Sequence, residues 1–90
     1  MAKPIDESFK PRLARKARLR YEEVRQTDFL LLPERVVKLN ASGAAILRLC
    51  DGSRTVTEIA KVLEIRYSQP GVEKDVLEFL RQVSGQGWVE

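Results

Sequence analysis

The spacing of apolar residues changes period once along the chain, near residue 40. Upstream, Leu19 and Tyr21 alternate with Arg18, Arg20 and Glu22, the period of a half-buried strand. Arg25-Gln26-Thr27-Asp28 reads as a turn, and Phe29-Leu30-Leu31-Leu32 as a second, more fully apolar strand. Pro33 stops it, because proline fixes φ and has no N–H to donate. Arg35-Val36-Val37-Lys38-Leu39 follows as a third strand with a Val37/Leu39 face and two β-branched residues. Connections this short leave no room for a crossover, so the three strands predict an antiparallel meander.

Downstream the period is helical. Asn40 or Ser42 can cap a helix to about Cys50, with Ala45, Ile46, Leu49 and Cys50 on one stripe. Asp51-Gly52 closes it, since glycine adopts the left-handed C-terminal conformation cheaply. Thr55-Val56-Thr57-Glu58 has the form of a capping box and opens a helix carrying Val56, Ile59, Ala60, Val62 and Leu63. Ser68-Gln69-Pro70-Gly71 interrupts that helix. Val72, Val76, Phe79, Leu80 and Val83 then recur at helical spacing, with Glu73 and Asp75 in the turns where the helix dipole favours acids. Gly85 and Gly87 end this last helix, and Trp88-Val89 is expected to fold back on the core. The predicted fold class is α+β: a winged-helix-like domain, a three-stranded antiparallel sheet followed by a three-helix bundle. Neither half can bury its apolar face alone, so the two should pack on each other.

Ninety residues, 43% apolar and 32% charged, fit one globular domain. No apolar run approaches the length that spans a bilayer, and the N-terminus lacks the apolar stretch of a secretory signal, which together predict a cytoplasmic protein. The net charge of +3 is unevenly placed: residues 1–20 hold seven basic side chains against two acidic ones, +5, leaving −2 for the remainder. Residues 1–17, with Pro4 and Pro11 and no regular period, are expected to be a flexible basic N-terminal arm, and residues 18–90 the folded domain.

Catalytic chemistry finds few supports. The chain has no histidine, the usual acid–base group near neutral pH, and its one cysteine, Cys50, lies in an apolar run. A lone thiol cannot build a metal site of about four ligands, so neither metal nor cofactor is expected. Glu22-Glu23 is the nearest approach to a paired-acid motif, and adjacent strand residues face opposite ways. Gly85-Gln86-Gly87 precedes no helix that could cradle a phosphate. A non-catalytic binding protein is the reading that remains, and two modes compete. In one, an open sheet edge at Arg35–Leu39 pairs with an incoming peptide. In the other, the helices act as the DNA-binding part of a winged-helix transcriptional regulator. The last helix, however, sets Lys74 and Arg81 against Glu73, Asp75 and Glu78, and the middle one balances Lys61 and Arg66 with Glu58 and Glu64, so phosphate contacts would fall to the arm. The open edge also allows a homodimer in which two copies pair strands.

The stretch Leu30-Leu31-Leu32-Pro33-Glu34-Arg35-Val36-Val37-Lys38-Leu39-Asn40 resembles the LLxPE-plus-VxLN pattern of the PqqD family. The likeness continues through Ala45-Ile46-Leu47, Leu49-Cys50-Asp51-Gly52, Arg54-Thr55-Val56 and Glu58-Ile59 to Asp75-Val76, Phe79-Leu80 and Gly87-Trp88-Val89-Glu90. It covers roughly residues 18–90. The resemblance implies a ribosomal-peptide recognition element of pyrroloquinoline quinone (PQQ) biosynthesis, a peptide chaperone. It would bind the leader of the precursor peptide PqqA by strand addition and present it to PqqE, a radical S-adenosylmethionine enzyme. The iron–sulfur clusters and S-adenosylmethionine would belong to PqqE. Carried over by position, Arg35, Val36, Val37, Lys38 and Leu39 would supply the strand edge, and Asp75, Val76, Phe79 and Leu80 the helical side. Leu77 and Arg81, which share a face beside that stripe, are further groove candidates. The spacing of Val76, Phe79 and Leu80 is equally that of a core stripe.

Overall fold

Three strands, β1 (Arg18–Glu22), β2 (Thr27–Leu31) and β3 (Val36–Leu39), precede three helices, α1 (Ala41–Arg48), α2 (Val56–Tyr67) and α3 (Glu73–Gly85). This architecture is seen in a computed structural model that describes residues 5–90. The sheet is an antiparallel meander in the order β1-β2-β3, as the strand pattern predicts. The first turn lies earlier than expected: β2 begins at Thr27, and Gln26, at φ 49°, closes a turn in which its N–H donates to the Glu23 carbonyl. The second turn is a two-residue connection, Pro33-Glu34, bracketed by Leu32 and Arg35, which exchange backbone hydrogen bonds in both directions at 2.9 and 3.4 Å.

The cross-strand register sorts the side chains into two faces. Leu19 opposes Leu30, which opposes Val37, and this row faces the helices. Leu30 is fully buried, and Leu19 and Val37 pack on the core around it. Asp28, on the same face, pairs with Arg48 of α1. The inner face of the second strand is therefore not uniformly apolar. Phe29 and Leu31 point the other way, are half-buried, and do not join the core.

Each helix starts where its cap is supplied. Asn40 accepts from the Gly43 N–H at 2.7 Å and opens α1. The capping box of α2 is complete, with the Glu58 N–H donating to Thr55 Oγ1 and the Thr55 N–H to Glu58 Oε1. No side chain of its own caps α3. Instead Glu64 Oε2, on α2, accepts from the Gly71 and Val72 N–H groups at 3.0 and 3.2 Å. Glu58 is held below the usual carboxylate range, first by the Thr55 backbone N–H and then by the Thr55 hydroxyl. A lowered folded-state pKa stabilises the fold above the ordinary glutamate value, and that contribution is lost as pH falls through the folded value.

The segment before β1 departs most from expectation. Residues 5–17, expected to belong to a flexible arm, are docked, while Lys3 and Pro4 of that arm lie outside the described residues. Ile5, Pro11 and Ala17 are buried. Arg12 and Glu90 exchange backbone hydrogen bonds at 3.0 and 2.7 Å, the Ala14 N–H donates to the Trp88 carbonyl, and the Leu13 N–H donates to the Cys50 carbonyl. The Phe9 and Glu7 carbonyls accept from the Val56 and Thr57 N–H groups, the first donors of α2. This segment thus does two things that proline content conceals: it satisfies orphan donors at a helix start, and it holds Trp88 and Val89 against the core. Proline at position 11 needs no N–H there, because only its carbonyl is used, accepting from the Gly52 N–H at 2.9 Å. Deleting residues 1–13 should lower unfolding stability by at least about 3 kcal/mol, through lost backbone hydrogen bonds and an uncovered Trp88. A urea midpoint unchanged by the deletion would show the segment to be a passive arm.

Candidate functional site

β3 lies at the sheet edge, with β2 on one side and, among the described residues, no strand on the other. Antiparallel pairs alternate between those that exchange hydrogen bonds and those that do not. Leu32 and Arg35 exchange them, so Leu30 and Val37 do as well, while Leu31 and Val36, and Phe29 and Lys38, do not. The backbone N–H and C=O groups of Val36 and Lys38 therefore point away from β2, towards the open edge. Two contacts tie α3 to the ends of this strand. Arg35 Nη2 donates to Gln86 Oε1 at 3.3 Å, just past the C-terminus of α3. Phe79 lies against Gly43, in the first turn of α1, where a Cβ would come within 3.3 Å of the ring. Glycine at 43 lets the two helices approach that closely.

A groove of roughly 690 Å³ opens beyond Phe79, between the start of α1, the end of α2 and one flank of α3. Ala41, Ala45, Ile46, Leu63, Val72 and Phe79 make its walls apolar, while Ser42, Gln69 and Asp75 are polar and Tyr67 is half-exposed on its rim. An apolar cleft with a few polar groups at its margin suits side chains from a peptide better than a metal or phosphate. No cluster of three metal-ligating side chains occurs among the described residues.

The expected site residues separate on this geometry. Val36 and Lys38 are exposed at the edge, and Arg35 sits at its start. Val37 and Leu39 face the core, so they serve the site only through backbone. On α3 the candidates fall on three sides. Asp75 and Phe79 face the groove, beside Val72, which precedes the helix and is not among the expected site residues. Val76 and Leu80, at 2% and 0% exposure, form the buried stripe, and of these only Val76 reaches the groove floor. Leu77 and Arg81, expected in the groove, lie on the opposite flank. Leu77 packs on the core, and Arg81 Nε donates to the Ile5 carbonyl at 3.1 Å, holding the N-terminal segment. Residues 77 and 81 are one and five positions beyond 76, about 100° and 140° around the helix, whereas 75 and 79 lie on its other side. Sequence periodicity identified the stripe but not which flank faced the open edge. Tyr67 and Ile46 were missed as groove residues. An aromatic at a helix end with no buried partner was the available signal for Tyr67.

Cys50 is buried, and its thiol donates to the Ile46 carbonyl at 3.3 Å. Burial, with Asp51 adding to it, pushes the thiol up to about 12. Almost no thiolate exists near neutrality, so this group has the chemistry of a small apolar side chain.

Comparison with known proteins places the chain in a family. The model of the family described as coenzyme PQQ synthesis protein D (PqqD) matches residues 29–89. The chain belongs to the PqqD family. A "PqqA binding protein" of Methylococcus capsulatus is 42% identical over 72 residues, covering 80% of this chain and 77% of that one. Another of that name, from Azotobacter vinelandii, is 42% identical over 81 residues, 89% and 88% of the two chains. Among solved structures, a solution structure of the PqqD truncation of Methylobacterium extorquens PqqCD superposes with a TM-score of 0.81 at 38% identity, covering 96% of this chain and 94% of that one. That protein is described as a functional, stand-alone recognition element for ribosomally synthesized and post-translationally modified peptides (RiPPs). With 96% of the chain covered, the likeness to this PqqD takes in most of the segment before β1 as well as the sheet and helices.

The thiol supplies a test that needs no ligand. A raised folded-state pKa keeps Cys50 protonated, so its contribution to stability is fully present below the ordinary thiol value of 9.0 and is lost as pH rises towards about 12. Folded protein at pH 8 should react with a thiol reagent at least 100-fold more slowly than urea-unfolded protein. Equal rates would mean an accessible, ionised thiol.

Proposed function

We propose that this chain is a peptide chaperone of PQQ biosynthesis that binds the leader of PqqA and presents it to PqqE. The leader adds as a fourth strand on β3, with some of its side chains entering the groove beside α3. The observation that carries this reading is the unpaired backbone of Val36 and Lys38 in the strand that leads into α1, whose first turn lines the apolar cleft. Main-chain hydrogen bonds would supply affinity there, and the pockets beside the strand selectivity. The names of the relatives support the ligand, and the description of the Methylobacterium extorquens domain supports the role of recognition element. The side chains assigned to the peptide are Tyr67, Val72, Asp75 and Phe79, with Arg35 at one end, while Val36 and Lys38 contribute backbone. Val37, Leu39, Val76 and Leu80 hold the strand and helix in place.

The ladder geometry gives a test that separates strand addition from a purely side-chain contact. Lys38→Pro removes an N–H that points at the open edge and none that pairs with β2, so the fold should survive. Leader affinity, measured by calorimetry with synthetic PqqA, should fall at least tenfold. Undiminished binding by this variant would exclude pairing at β3. Tyr67→Ala, at an exposed site on the groove rim, should weaken the same peptide by roughly three- to tenfold without shifting the urea midpoint.

A further inference from the structure

The face of the sheet turned away from the helices is built differently from the peptide site. Two rows cross it. Arg20, Phe29 and Lys38 stand opposite one another, and so do Arg18, Leu31 and Val36. Phe29 and Leu31 are half-buried yet outside the core, and Val36 is 62% exposed. An apolar line from β2 to β3 is thus flanked by cations on both outer strands. Arg18, Arg20 and Lys38 have no carboxylate within ion-pair distance among the described residues.

We propose that this outer face docks a protein partner whose surface has an apolar centre rimmed by carboxylates. On the reading given above, that partner is the enzyme to which the peptide is presented. Charge decides between occupants. A second copy of the same face would set Arg18, Arg20 and Lys38 against their own images, which disfavours a symmetric pair. In a bilayer, apolar side chains must project beyond their polar neighbours, whereas Phe29 and Leu31 are recessed between longer arginine and lysine side chains. Carboxylates around an apolar centre meet both features at once, and such complementarity fixes orientation and speeds encounter. The position relative to the peptide is consistent. β3 uses its backbone edge for one ligand and the outward side chains of Val36 and Lys38 for the other. A strand added at that edge would bring alternate side chains of the peptide onto the same face, beside the docked partner.

Arg18→Glu/Arg20→Glu changes only exposed residues of β1, the strand farthest from the peptide edge. This variant should bind PqqE at least tenfold more weakly than the parent while binding the PqqA leader within twofold. Arg18→Gln/Arg20→Gln should give a smaller loss of PqqE affinity. PqqE affinity of the parent should fall on raising NaCl from 50 to 300 mM, with leader affinity little changed. Unaltered PqqE binding by the charge-reversed protein would overturn the proposal. So would amide shifts at residues 18–22 and 27–31 that arise only with phosphatidylglycerol vesicles, or only as protein concentration rises. Lys38→Pro that keeps the leader removes strand addition but leaves the docking face standing; a parent protein that binds the leader and no PqqE removes presentation and this proposal together.

Discussion

A three-stranded sheet backed by helices on one side only is the constraint from which the rest of the molecule follows. Leu30, fully buried between Leu19 and Val37, anchors the sheet to the helical layer. Among the described residues, no layer covers the other face or the β3 edge. An uncovered edge invites pairing with another chain, and proteins keep one only where it is short, charged or used. Here it is four residues long, carries Lys38, and leads into α1, whose first turn lines an apolar groove. The proposed binding mode rests on the small sheet being left incomplete.

The helical layer is held by backbone groups as much as by apolar contact. The carbonyls of Glu7 and Phe9 serve the first donors of α2, and Glu64 serves those before α3. Arg12, Ala14 and Leu13 tie the C-terminal Trp88–Glu90 and the loop at Cys50 into one set of hydrogen bonds. Leaving such groups unpaired in a small domain costs more than it can spare. The N-terminal segment therefore belongs to the fold, and its basic side chains are carried on a docked backbone. Arg81 illustrates the difference: a cation expected to meet a ligand instead fastens this segment through the Ile5 carbonyl.

Within the site, division of labour follows from geometry. In the proposed mode the peptide edge is backbone and selectivity falls to Tyr67, Val72, Asp75 and Phe79, while the buried stripe of α3 positions them. Gly43 matters because it lets the Phe79 ring close against α1 and shape one end of the groove. Cys50, the one side chain with nucleophilic potential, is buried and held as a thiol. The family to which the chain belongs has relatives named for binding PqqA rather than for a reaction, in keeping with this layout.

The amino-acid sequence by itself determined the order of strands and helices, the capping box at Thr55 and the buried stripe of α3, because each depends on residues within a few positions of one another. The β2 start was displaced, since the polar run Arg25–Asp28 does not distinguish a turn from a strand whose outer residues are polar. Only tertiary structure decided that residues 5–17 dock, because their partners are carbonyls and N–H groups on distant segments, which no side-chain pattern records. It also decided which flank of α3 meets the groove and that Phe29 and Leu31 form an outer face rather than core. A helix or strand period marks the buried side of an element, but what lies beside it depends on how the other elements pack.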